Sequence, residues 1–250
     1  MTGSTSRQLV REAQPGRFSP DGVIAWASHC RLMSVSPTPG YARGVTAALV
    51  VGFDLDMTLF DTRPAIGATL TAAAADLGVE FDVELFLAEL GPPLEVMVGQ
   101  QLPKSLVTPF VDRYREIYHV HGLPAAKLLP GARESIDTVT DHNGTSIVIT
   151  GKNLRDASRH VETEKLAVAT VIGWAWAEGK TAAMLEHGAS VYVGDHPADI
   201  AAARAAGAAA VAVTTGSHGA DSFADADVVL DSLTEFPRWL ARHVTAAPRH

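Results

Sequence analysis

A chain of 250 residues with 47 % hydrophobic side chains can bury one large core or two modest ones. Its formal charge of −8 offers no general attraction to nucleic acid or to acidic membrane surfaces. The single cysteine, Cys30, excludes an intrachain disulfide and suits a reducing cytoplasm, and no apolar run reaches the roughly 18 residues of a membrane-spanning helix.

Residues 1–45 read as a disordered leader. Arg7, Arg11, Arg17, Arg31 and Arg43 face only Glu12 and Asp21 there, and Ser34-Val35-Ser36-Pro37-Thr38-Pro39-Gly40 has the composition of a linker. Met33 is a candidate internal start. The Arg/Ser bias leaves an organellar transit peptide as a minor reading, while the lack of an apolar h-region speaks against a secretory signal.

From residue 46 an apolar, β-branched run predicts a buried strand to Phe53. Residues 64–123 then read as helical. The stretch 65–77 is alanine-rich with Gly78 placed to stop it, and 83–90 is short and amphipathic. Gly91-Pro92-Pro93-Leu94 follows, and 106–119 carries Val107, Phe110, Val111, Tyr114, Ile117 and Tyr118 near helical spacing. An all-helical insert between two strands predicts a cap domain over the sheet edge. Beyond Leu129, helices are expected at 131–140, 153–164 (capped by Asn153), 179–187, 197–206 and 233–242. Strands are expected at 145–149, 168–172, 190–193, 208–213 and 228–230. Such alternation implies an α/β fold, a doubly wound parallel sheet of the Rossmann-like kind with helices on both faces. The core would span 46–63 and 124–243, and the cap 64–123.

The chemistry-bearing residues fall at the ends of these strands. The first strand runs out into Asp54-Leu55-Asp56-Met57-Thr58. Two carboxylates this close repel unless a cation or a shared proton compensates. A nucleophile, a proton donor and a hard cation such as Mg²⁺ are the simplest explanation. The strand 145–149 ends in Thr150-Gly151-Lys152, a hydroxyl and a glycine that can receive a phosphoryl group. Glu178-Gly179-Lys180-Thr181 opens a helix with a lysine, where the helix dipole also favours an anion. A third strand ends in Gly194-Asp195, with Asp199 four residues on.

In chain order these four segments resemble the haloacid dehalogenase superfamily of phosphohydrolases over roughly residues 47–240. The resemblance implies that Asp54 attacks phosphorus to form an aspartyl-phosphate and that Asp56 is the general acid and base. Thr150, Gly151 and Lys180 would bind the phosphoryl group, with Lys152 the competing lysine. Mg²⁺ would be held by Asp54, by the backbone carbonyl of Asp56 and by Asp195, with Asp199 supporting the metal shell or holding Lys180. Thr58 would position the loop. The second acid argues against a true dehalogenase, whose nucleophile lacks that partner. Asp61-Thr62 and Gly91-Pro92-Pro93-Leu94 are similar to segments of phosphoglycolate phosphatase-like members, which carry a helical cap. Met57 departs from the glycine usual at its position, Gly151 from an asparagine, and Gly173-Trp174-Ala175-Trp176-Ala177 from a polar connection.

The expected function is Mg²⁺-dependent hydrolysis of a small phosphorylated metabolite by a cytoplasmic monomer or homodimer. A phosphomutase on a phosphosugar, or a non-catalytic metabolite-binding protein, would use the same core. A phosphonate hydrolase would need a cap lysine, for which Lys104 and Lys127 are the candidates. Arg63 and Arg115 are candidates for a second anionic group on the substrate. His119 and His121 read as solvated surface, since the ten histidines show no metal-ligand spacing.

Overall fold

The computed structural model describes residues 48–246. The leader, Cys30 and Met33 lie outside the described residues, as do positions 46 and 47 of the expected first strand. Strand β1 is Val50–Phe53, followed by the two-residue β2, Phe60–Asp61. Four helices follow: α1 Arg63–Leu77, α2 Val83–Ala88, α3 Leu94–Gln101 and α4 Lys104–His121. The chain returns through β3, Lys127–Leu128, and then alternates. It forms α5 Ala132–Asp141, β4 Thr145–Ile149, α6 Leu154–Thr163, β5 Thr170–Ile172, α7 Glu178–His187 and β6 Val191–Gly194. It ends in α8 Pro197–Ala206, β7 Ala209–Val213, β8 Val228–Leu230 and α9 Phe236–Ala246. Among the described residues no helix is long and apolar enough to cross a membrane.

Six strands form one parallel sheet in the order β5-β4-β1-β6-β7-β8. The period-2 alternation of the central strands sorts side chains onto two faces. Val148, Val191 and Val193 pack with Ile136 of α5, Val161 of α6 and Phe236 of α9 on one side. Ile147, Ile149 and Tyr192 pack with Met184 of α7 and Ile200 of α8 on the other. Each such side chain contributes about 1.5–3 kcal/mol on burial. Gly52 serves this packing, because a Cβ there would stand 2.7 Å from the Tyr192 ring. That ring lies across β1 and its hydroxyl donates to the Ile149 carbonyl at 2.7 Å.

The helices α1 to α4 have a hydrophobic cluster of their own, with Leu70, Phe86, Val98, Phe110 and Tyr118 at its centre. Gly78 stops α1 as expected, in the left-handed region at φ 63°. Asn153 caps α6 by accepting from the Asp156 amide at 2.9 Å. Some boundaries differ from the sequence reading, each for a local reason. The Val168 amide closes onto the Leu166 carbonyl, so β5 starts two residues later than expected. Ser232 caps a 3₁₀ turn at Leu233–Glu235, which delays α9 to Phe236. The β2–β3 pair is an antiparallel stem joining the helical insert to the sheet; two residues per strand are too few to show periodicity.

Candidate active site

The sheet positions the acids. β1 and β6 are hydrogen-bonded neighbours, so Asp54 and Asp195, each one residue past its strand, emerge side by side. The Asp54 amide continues the ladder to the Val193 carbonyl at 2.9 Å. A tight turn follows, in which the Met57 amide bonds the Phe60 carbonyl at 2.7 Å. Met57 sits at φ 60°, a left-handed conformation that explains why glycine is usual there in the family it resembles. Thr58 donates to Asp195 Oδ1 at 3.1 Å, so it steers the second acid as well as the turn.

Asp199 completes a buried cluster in which Asp54, Asp195 and Asp199 each bring an oxygen within 4.8 Å of the others. It occupies the first turn of α8, where its Oδ2 accepts from the His196 amide in a reciprocal cap. Its Oδ1 accepts from Lys180 Nζ at 2.6 Å. A Cβ on Gly194 would stand 2.3 Å from Asp199 Oδ2, and one on Gly216 2.0 Å from Asp195 Oδ2. The sequence reading singled out the first of these glycines and missed the second, whose only signal is position in the loop after β7.

Lys180 projects from the first turn of α7 and is 1 % exposed. Its Nζ lies 3.1 Å from Asp54 Oδ1, an ion-pair distance, yet that buried oxygen receives no hydrogen bond. Burial alone would lower the lysine pKa, but Asp199 and then Asp54 hold it well above its ordinary value. Burial pushes Asp54 up to about 7 even beside this cation. Burial, then Asp54 and Asp199, likewise raise Asp195 well above the carboxylate range. Three carboxylates against one ammonium leave an excess of buried negative charge. A hard, all-oxygen donor set with one unsatisfied carboxylate oxygen fits Mg²⁺. Asp54 and Asp195 are free to hold the ion; Asp199 already has both oxygens engaged.

Asp56 turns the other way. Its Oδ1 pairs with Lys152 Nζ at 3.0 Å, so its carboxylate stands apart from the three-acid cluster. Burial pushes its pKa up, but the Lys152 charge, hydrogen bonding to the carboxylate and the nearby His160 together outweigh this and hold the carboxyl below its ordinary value. The two candidate lysines thus have separate places: Lys180 beside Asp54 and Asp199, Lys152 beside Asp56. Lys152 lies 4.5 Å from the face of the Tyr118 ring, and the Tyr118 hydroxyl is 2.9 Å from His160 Nε2. Tyr118 comes from the insert and His160 from α6, and neither was read as a site residue. Thr150 accepts from the Lys152 amide at 3.2 Å. The nearest atoms to a Cβ on Gly151 would be 3.8 Å away, so glycine there is not a steric necessity.

Asp54, Asp56, Thr150, Gly151, Lys152, Lys180 and Asp195 all line one pocket, whose further walls come from both the insert and the sheet side. Arg115 reaches that pocket but is paired with Glu95. Arg63 is paired with Asp61 at 3.0 Å and is not part of the lining, nor are Lys104, Lys127, His119 and His121.

A model of the haloacid dehalogenase-like hydrolase family matches residues 51–213. A protein described as "Probable phosphatase IndB", from Dickeya dadantii, is 31 % identical over 208 residues, which cover 74 % of this chain and 90 % of that one. A phosphoglycolate phosphatase of Mannheimia succiniciproducens is 26 % identical over 196 residues, covering 67 % of this chain and 86 % of its own. The solved structure of a haloacid dehalogenase-like family hydrolase from Streptococcus pneumoniae superposes with a TM-score of 0.68 at 22 % identity. The match covers 80 % of this chain and all of that one, and it shows the shared fold.

Proposed function

We propose, for a chain that belongs to the haloacid dehalogenase-like hydrolases and is itself a hydrolase, that the reaction is Mg²⁺-dependent hydrolysis of a small phosphomonoester through an aspartyl-phosphate. The observation that carries this reading is the buried Asp54 Oδ1, which lies beside Lys180 and receives no hydrogen bond, in the same pocket as Asp56. With Oδ1 buried beside Lys180, the exposed remainder of the Asp54 carboxylate lines the pocket, where it can attack phosphorus. Mg²⁺ bound by Asp54 and Asp195 would supply positive charge that offsets the repulsion between carboxylate and phosphate dianion.

The chain's own groups do the rest. Lys180 neutralises charge on the transferring group, and Asp199 keeps Lys180 in place through its 2.6 Å contact. Thr150 and the adjoining backbone receive the phosphoryl oxygens. Asp56 starts as a carboxylate held by Lys152. An arriving dianion raises its proton affinity and competes for Lys152, so Asp56 can take a proton and deliver it to the leaving alkoxide. The carboxylate left behind then activates water against the aspartyl-phosphate. The insert serves as a cap whose walls limit water entry to the site.

Phosphoglycolate is the ester brought forward by the subfamily resemblance and by the Mannheimia relative's name, and it belongs at the head of a panel. The test is phosphate release from small phosphomonoesters with Mg²⁺ and with EDTA, for wild type and Asp54→Asn. Metal-dependent release lost in the variant is expected. Release unchanged by Asp54→Asn would remove the proposed nucleophile, and transfer of the phosphate to a sugar hydroxyl would indicate a mutase.

A further inference from the structure

The segment Gly173–Ala177 is aromatic where a polar connection was expected, and the mechanism above leaves it without a role. Its backbone is held in an unusual shape. Trp174 has φ 61° and Ala177 φ 47°, both in a region that L side chains rarely adopt. A Cβ on Gly173 would stand 2.4 Å from the Leu154 amide nitrogen, so the loop is pressed onto the start of α6. Two backbone hydrogen bonds, Trp174 to the Lys152 carbonyl and Ala175 to the Thr150 carbonyl, each 2.9 Å, fasten it to the phosphate-binding turn. Strain of this kind persists where the surroundings impose it and clusters at ligand sites.

The result is a pair of indoles at a fixed place beside the reacting groups. Trp174 is 57 % exposed, and it lines the same pocket as Trp176 and Asp54. Leu90, Pro92 and Met97 of the insert add apolar surface on the pocket's wall. The cations of the pocket are already committed: Lys180 to Asp54 and Asp199, Lys152 to Asp56, and Arg115 to Glu95. Arg115 also stacks on Trp174, its guanidinium carbon 4.4 Å from the ring centroid. Among the described residues, no lysine or arginine of the pocket is left over for a carboxylate on the substrate. The wall beyond the phosphate site offers flat π faces and apolar surface instead.

We propose that Trp174 and Trp176 bind an aromatic ring carried by the alcohol portion of the phosphomonoester. The inference rests on the phosphatase reading and gives it a substrate class. An indole face favours a planar ring over an alkyl chain through offset or edge-to-face contact, on top of the area that any apolar group buries. A short linker would join the ring to the ester oxygen, so that phosphate and ring are held together in the one pocket.

Phenethyl phosphate and ethyl phosphate test this, since both release an unactivated primary alcohol and differ in the ring. In wild type, kcat/KM for the phenethyl ester is expected to exceed that for the ethyl ester by about tenfold or more. Trp174→Asn suits a positive φ and should keep the loop's shape; Trp176→Leu keeps an apolar volume. In each variant the ratio of the two kcat/KM values is expected to fall severalfold. Equal efficiencies in wild type, a higher efficiency for phosphoglycolate than for the phenethyl ester, or a ratio unchanged in both variants would overturn the ring site while leaving the phosphatase reading intact. No release from any ester would overturn both.

Discussion

Lys180 sets one buried ammonium against two buried carboxylates. It is buried between Asp54 and Asp199, and among the described residues nothing else cationic faces those two oxygens at hydrogen-bond distance. Lys180→Met keeps the volume of the stem and removes the charge. It is expected to cost about 3 kcal/mol of stability, the low end for breaking a buried pair, because Asp54, already raised to about 7, can accept a proton. Phosphate release is expected to fall at least about a hundredfold. Urea unfolding and steady-state turnover measure the two losses; a variant as active as wild type would remove Lys180 from the site. At this scale much was legible. A strand that stops in Asp54 and Asp56, or in Gly194 and Asp195, displays its acids in the sequence itself. The division of labour between Lys152 and Lys180 was not legible, because position along the chain does not say which acid a lysine will meet. Only the pairing of β4 beside β1 and the packing of α7 against α8 decide which acid each lysine meets. Gly216 was invisible for a related reason: its close approach to Asp195 is a property of two loops far apart in the chain.

At the scale of elements, α4 of the insert and α6 of the core meet in a buried polar contact, the 2.9 Å link between Tyr118 and His160. Burial, and after it the nearby Lys152 charge, push the His160 pKa down to about 4 from an ordinary 6.5. The folded state therefore holds this imidazole neutral while the unfolded chain protonates it at higher pH. Its contribution is complete above about pH 6.5 and is lost as pH falls toward 4. By that arithmetic the loss reaches about 2 kcal/mol at pH 5 and about 3 kcal/mol in full. His160→Asn is expected to weaken the protein at neutral pH and to flatten the fall in stability between about pH 7 and 5, as read by urea unfolding. An equally steep fall in the variant would assign the effect to other groups. Helical spacing revealed α4 with Tyr118 on its apolar stripe, but Tyr118 read only as core. That it also carries a hydroxyl partner and covers Lys152 depends on how the insert sits against α6. The β2–β3 stem was missed because two-residue strands have no period to detect.

For the whole molecule, the alternation of helix and strand identified a doubly wound parallel sheet, and the order β5-β4-β1-β6-β7-β8 brings its two acid-bearing strands together at the centre. The strand order was not readable, since pairing is a choice among strands with equally apolar patterns. Concentrating three carboxylates there opposes folding. Asp54 opposes it increasingly as pH rises from 3.8 toward about 7, because the folded state then resists an ionisation that the unfolded chain makes freely. A bound divalent cation reverses that opposition. Adding Mg²⁺ at about a hundred times its Kd is expected to stabilise the protein by about 2.7 kcal/mol. The rise in Tm should shrink sharply in Asp195→Asn, and a rise of equal size in that variant would place the ion elsewhere.

The claim on which the rest depends is that Asp54 becomes phosphorylated. It is tested by mixing the enzyme with Mg²⁺ and its best ester, quenching in acid within a turnover, reducing with borohydride and mapping the peptide that contains residue 54. Conversion of Asp54 to homoserine, substrate-dependent and absent in Asp54→Asn, is the expected result. Steady phosphate release with Asp54 unmodified, and with homoserine appearing at another carboxylate or at none, would contradict it.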